Sequence, residues 1–158
     1  MHFRMICLLA ATALVGAVPA AAADAAFSYK TSYRNVTQDP DKVWTGDALA
    51  AGSSGTVTIH EYELRTPRGD FLISQIWNDD CTSGTCPTRL VRVAPHQQPT
   101  VLVDDMMHQI VPPDDPRFAA MAADKAQAAF AQRPFALTDD GKTLVNGDFT
   151  FAIPEGKP

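Results

Sequence analysis

The chain has 158 residues, 46% of them hydrophobic, and 18 acids against 13 Lys and Arg give it a net charge of −5. The acidic surplus disfavours nucleic acid, whose phosphates need a basic face. Fifteen of the 18 acids are Asp. Asp favours turns and caps over helix interiors, so the acids themselves point to a fold rich in loops and strands.

The first residues carry the parts of a secretory signal peptide in order. His2 and Arg4 make a mildly basic start, and Ile6 to Val18 is an apolar run without a charge. Small residues follow, and the change of composition at Asp24 places the cut after Ala23, with Ala20 and Ala22 as alternatives. Residues 1–23 are therefore expected to be removed on export to the periplasm or the medium. No Arg pair precedes the apolar run, which fits transport of an unfolded chain. Cys7 lies inside that run rather than after its small residues, so it does not read as a lipid-attachment site. No second apolar run reaches membrane-spanning length, so no span is expected in the mature protein. Residues 24–158 make about one domain, with 12 basic residues against the same 18 acids. Such a surface would suit a cationic partner.

Removing the leader leaves two cysteines, Cys81 and Cys86, enclosing Thr82-Ser83-Gly84-Thr85. In an oxidising compartment an isolated close pair reads as a disulfide. The spacing is wrong for a redox-active pair, which has two intervening residues, and a zinc site would need further paired ligands. His60, His96 and His108 are isolated along the chain.

In chain order, Phe27 to Val36 alternates apolar and polar residues as a first strand does. Residues 37–55 carry breakers and read as a connection; Asp39, Asp41 and Asp47 resemble part of a calcium loop, but Val43 occupies a ligand position and the closing acid is missing, so a turn is the better reading. Thr56 to Leu64 is strand-like, with Val57 and Ile59 out of phase with Tyr62 and Leu64, which predicts either a bulge near His60 or burial on both faces. Pro67-Arg68-Gly69-Asp70 is a turn leading into Phe71 to Trp77, an apolar and central strand. Thr88 to Ala94 and Thr100 to Val103 are two more strands, and Asp104 to Val111 is ambiguous.

One amphipathic helix is expected over about 115–132, capped by Asp114 or Asp115, with Pro116 in its first turn and Pro134 ending it. A meander closes the chain, with Asn146-Gly147 as the strongest hairpin signal. The expected class is a β-rich α+β domain: an antiparallel sheet or sandwich of about eight short strands with the helix packed on it.

No catalytic motif stands out. Ser53, Ser54 and Ser83 lie in Gly-rich loops without a nucleophile-elbow spacing. The acid pairs Asp79-Asp80, Asp104-Asp105, Asp114-Asp115 and Asp139-Asp140 place neighbours on opposite faces, so no pair alone makes a two-carboxylate site. Met106, Met107 and His108, with His96, offer soft ligands, yet a lone set of this kind reads as core packing. No cofactor, metal or catalytic residue is assigned.

The distinctive segment runs from Trp77 to Arg89, an apolar strand entering a crosslinked polar loop. Asp79, Asp80, Thr82, Ser83, Thr85 and Arg89 are its candidate binding residues, because a loop rigid before docking loses less entropy on binding. The expectation is an exported binding protein, an inhibitor or immunity-type protein against a secreted or cell-wall-degrading enzyme. The alternatives are an envelope hydrolase or a periplasmic metal-handling protein. A Ser or an Asp pair meeting His60 or His108 would favour the hydrolase, and convergence of Met106, Met107, His96 and His108 would favour metal.

Overall fold

The computed structural model describes residues 25–50, 57–82, 84–118 and 135–155. The proposed leader lies outside these residues, as does most of the expected helix, from 119 onward. Residues 116–118 are helical, and Asp115 precedes them with its Oδ1 accepting from the Arg117 backbone N–H at 2.8 Å.

Two antiparallel sheets organise the described residues. Five strands form a consecutive meander, β2 (Ser28–Arg34), β3 (Thr58–Thr66), β4 (Gly69–Trp77), β5 (Thr85–Val93) and β6 (Thr100–His108). The smaller sheet has the order β1-β7-β8-β9, from β1 (Ala25–Ala26), β7 (Phe135–Leu137), β8 (Thr143–Asn146) and β9 (Phe149–Ala152). The first strand expected from sequence, Phe27 to Val36, is present as β2, and a two-residue strand that was not expected precedes it. Ala25 and Ala26 pair with β7, the chain changes sheets at Phe27, whose N–H donates to Phe135 O at 2.8 Å, and Ser28 opens the larger sheet.

Both faces of the larger sheet are covered. On one, Tyr62, Phe71, Ile73, Leu90 and Met107 pack with Phe27 and with Phe135, Leu137, Leu144 and Ile153 of the smaller-sheet region. On the other, Val43, Trp44 and Leu49, the last in the short helix α1 (Gly46–Ala50), cover Val57, Ile59, Leu72, Ile76 and Val91. Two-sided burial resolves the change of phase in β3, where Ile59 to Tyr62 are all buried and the pairing with β4 is unbroken. The bulge lies instead in β2, between Tyr29 and Thr31. β4 is indeed the middle strand, with Phe71 to Ile76 buried without a break.

Turn chemistry placed the hairpins. Pro67 and Arg68 join β3 to β4, with Thr66 opposite Gly69. Asn146 stays in β8 opposite Phe149, so Gly147 and Asp148 are the central turn residues there. The ambiguous stretch after Asp104 continues β6 as far as His108. Pro87 is tolerated in β5 because the β4 ladder begins at Thr88; at Pro87 the strand pairs only with β6.

Candidate functional site

The loop joining β4 to β5 rises from one end of the larger sheet. Cys81 and Cys86 are disulfide-bonded, with Cα atoms 4.3 Å apart. Cys86 is fully buried opposite Met107 of β6, so the crosslink ties an exposed loop to a core anchor. Above it, Thr82 and Thr85 exchange two backbone hydrogen bonds of 2.9 Å, and the Thr85 hydroxyl donates to Thr82 O at 2.7 Å. Gly84, at φ +82°, supplies the left-handed residue that closes this reversal. On the ascending side Asn78 Oδ1 accepts from Asp80 N–H at 3.0 Å, and its Nδ2 donates to Asp80 Oδ2 at 3.1 Å. Gln109 N–H, just beyond β6, donates to Gly84 O at 2.8 Å.

Beneath the loop runs a satisfied polar chain. Trp77 Nε1 donates to Gln75 Oε1 at 2.8 Å, Gln75 Nε2 donates to Thr88 Oγ1 at 2.8 Å and to His108 O at 3.1 Å, and Thr88 Oγ1 donates to Cys86 O at 2.9 Å. Gln75 and Thr88 are fully buried. Buried donors and acceptors that are all paired hold their carriers in one arrangement. Trp77 itself is half-buried, with the His60 ring edge-on at 4.2 Å and the Arg117 guanidinium 4.9 Å from its centroid. The Asp115 carboxylate grips that guanidinium through two contacts, of 3.0 and 2.8 Å, which holds the Asp115 pKa down at about 2.

The candidate binding residues are partly brought together. Asp79, Asp80 and Thr82 are exposed and Thr85 is half-buried, all within the loop; Ser83 lies outside the described residues. Arg89 is elsewhere. It sits within β5, pairs with Asp104 at 2.9 Å, donates to Val43 O at 2.8 Å and lies 4.2 Å from the Trp44 ring centroid. Those contacts clamp the segment carrying Trp44 onto the sheet.

Three other arrangements bear on chemistry. Ser32 does meet His60, at 2.7 Å from Oγ to Nδ1, and Asp114 at 3.1 Å. The carboxylate only accepts, so the hydroxyl proton goes to Asp114 and the imidazole presents Nδ1–H to Ser32. That is the reverse of a base drawing a proton from a nucleophile. His60 is 1% exposed, its Nε2 has no hydrogen-bond partner among the described residues, and burial lowers its pKa to about 4.

On the other face, ligand atoms of Asp39, Asp41 and Glu61 lie within 4.8 Å of one another. A cation already stands there: Lys30 Nζ is 2.8 Å from Glu61 and 3.0 Å from Asp41. The Asp39 carboxylate is spent on the N–H groups of Asp41, Val43 and Trp44, at 3.0, 2.7 and 2.8 Å. Burial pushes the Glu61 pKa up to about 8, against the pull of Lys30, whereas contacts with Glu61 and Lys30 hold Asp41 low in spite of its burial. Lys30, the Asp41 carboxylate and protonated Glu61 balance one another in charge, and the Asp39 carboxylate is compensated by its three N–H groups. Glu61 has no exposed surface and so cannot touch a substrate.

The soft ligands do not converge. Met107 is buried in the core, and His108 stacks on Phe149 at 4.1 Å with its Nε2 2.7 Å from Asp148. His96 lies in the turn after β5, at the opposite end of the β5–β6 ladder. Among the described residues no helix is long and apolar enough to cross a membrane.

No family model matches the chain, and neither a curated protein nor a solved structure shows significant similarity to it. The disulfide loop is accordingly assessed on its own geometry. A six-residue ring contributes only about 2 kcal/mol by chain entropy. Cys81→Ser/Cys86→Ala, which puts no hydroxyl at the buried position, is therefore expected to fold, at a cost of about 2 kcal/mol. Amide exchange should rise at Thr82 and Thr85 far more than in β4; unaltered exchange at these two amides would show that the disulfide does not stiffen the loop.

Proposed function

We propose that the protein is an exported binding protein of the inhibitor or immunity type, which presents residues 78–85 to a cationic surface on another protein. The leader motif and the disulfide support export, since disulfides persist in oxidising compartments. The observation that carries the binding role is the combination of exposed acids with a loop whose backbone is already fixed. Asp79 and Asp80 are exposed in it, while the disulfide, the Thr82–Thr85 bridge and the Gly84–Gln109 hydrogen bond fix the chain beyond them. Each rotamer-rich group ordered before docking spares about 0.5–1.5 kcal/mol of binding entropy.

The test uses the mature chain, residues 24–158, as bait in envelope extract, with Asp79→Asn/Asp80→Asn as the comparison. The amides retain the shape and much of the hydrogen bonding of the loop but remove both charges. A partner retained by the wild type should bind the double variant at least about tenfold more weakly, a loss of about 1.4 kcal/mol or more. An identical set of partners at unchanged affinity would sink the assignment.

A further inference from the structure

At the far end of the larger sheet from the disulfide loop, the β3–β4 turn faces the β7–β8 turn and the segment after β9 across a cavity of about 610 Å³. That volume falls in the range of small-molecule sites. Its floor is apolar: Phe71, Leu137 and Ile153, all buried members of the core shared by the two sheets, reach its base.

The rim carries Arg65, Arg68, Arg92 and Lys142. Two of these are already paired, Lys142 with Glu155 at 2.6 Å and Arg65 with Glu63 at 3.5 Å. Arg68 and Arg92 are held differently. The Arg92 guanidinium lies 5.7 Å from the Phe71 ring centroid. That of Arg68 rests on the Gly141 turn, so close that a Cβ there would be 2.8 Å from its Nη1. Gly141, at φ +65°, provides both the turn conformation and this approach. Neither guanidinium forms a side-chain hydrogen bond or ion pair among the described residues, so their donors are unspent.

The rim acids make no hydrogen bond with those donors among the described residues. Asp140 accepts from the Thr138 hydroxyl at 2.7 Å and from Lys142 N–H at 2.9 Å; the Thr138 contact is the chief reason its pKa is held low, and the Arg68 charge helps to hold it ionised. Glu155 is taken by Lys142, and Asp139 lies exposed in the β7–β8 turn. In a chain with 18 acids, two arginines positioned by a ring and a glycine turn, over an apolar floor, form a receptor for negative charge attached to an apolar body.

We propose that this cleft binds a small amphipathic anion, a carboxylate or phosphate head engaged by Arg68 and Arg92 with its apolar body on Phe71, Leu137 and Ile153. The site is separate from the disulfide loop, and its existence does not depend on the loop's role. Arg68 and Arg92 are exposed, so replacing them leaves the core intact.

Calorimetric titration of the mature chain decides the matter, using octanoate and octyl phosphate below their micelle concentrations. Octyltrimethylammonium and octyl glucoside serve as cationic and neutral probes of the same tail. Saturable binding of either anion is expected, with the better head separating a fatty-acid-like ligand from a phosphate ester. Arg68→Ala/Arg92→Ala should weaken it at least tenfold, while Arg34→Ala, at the Asp114 contact, should leave it unchanged. Equal binding of the cationic probe, binding by the double variant within twofold of wild type, or no binding of either anion would each overturn the proposal.

Discussion

Raising the pH from 6.5 to 8 is expected to cost the protein about 1 kcal/mol of stability, because Glu61 keeps its proton in the folded chain while the last of the His60 titration in the unfolded chain offsets part of the loss. Its folded pKa, about 8, lies above the ordinary 4.5, so between these values the native state holds a proton that the unfolded state releases. That contribution is fully present below 4.5 and disappears as the pH rises through 8. His60, the adjacent residue on β3, works in the opposite sense. Its folded pKa of about 4 lies below the ordinary 6.5, so the unfolded state gains a proton first and stability falls as the pH drops from 6.5 to 4. Between 4.5 and 6.5 the two slopes cancel.

Urea unfolding at intervals from pH 4.5 to 8 therefore has a distinct expected form for each protein. The wild type should be level from 4.5 to 6.5 and then decline. Glu61→Gln, which retains a donor toward Asp41, should lose the alkaline decline and instead weaken as the pH falls below 6.5. His60→Asn, which retains a donor toward Ser32, should gain stability steadily from pH 8 down to 4.5. Asp41, Asp114 and Asp115 have pKa values below 3.8, so their contributions vanish only under more acidic conditions. A wild type equally stable at 6.5 and 8 would remove Glu61 as the buried acid.

Asp39→Ala is expected to cost about 3–5 kcal/mol, from orphaned backbone donors of about 1–3 kcal/mol each. Asp39 is 8% exposed, and its carboxylate accepts three backbone N–H groups, two of them from the buried residues Val43 and Trp44. Those residues begin the cover on the second face of the larger sheet. Trp44 Nε1 donates to the buried Ser74 hydroxyl at 2.9 Å, and Arg89 holds the Trp44 ring from the other side. Without Asp39 the cover should loosen as a unit, with faster amide exchange from residue 41 to 50 and a lower urea midpoint. Asp39→Asn, which keeps one acceptor oxygen, should recover about half the loss. A change under 1 kcal/mol in the alanine variant would mean that water replaces the carboxylate, and the cover is then held by its apolar contacts alone.

The legible part of the fold was local. The strand reading of Phe71 to Trp77 followed from an uninterrupted apolar run, and the hairpins from Pro67 to Asp70 and at Asn146-Gly147 from turn residues. The Cys81–Cys86 bridge was legible because its two ends are five residues apart. By contrast, α1 has five residues, too few for a helical period to register. Arg89 shares a segment with the loop acids, but strand alternation and pairing carry its side chain to Asp104 and Trp44.

Local turn chemistry, apolar periodicity and the spacing of two cysteines were enough to determine a β-rich chain with one stapled acidic loop, since each acts within a few residues. The contacts of His60 with Ser32 and of Ser32 with Asp114 span 28 and 82 positions. The Lys30–Glu61 contact spans 31, and the arginine cleft draws on five separate stretches of chain. Sheet register and the meeting of two sheets created these neighbours. Burial then set their charges, leaving His60 neutral and Glu61 protonated at positions whose residue types alone imply neither state.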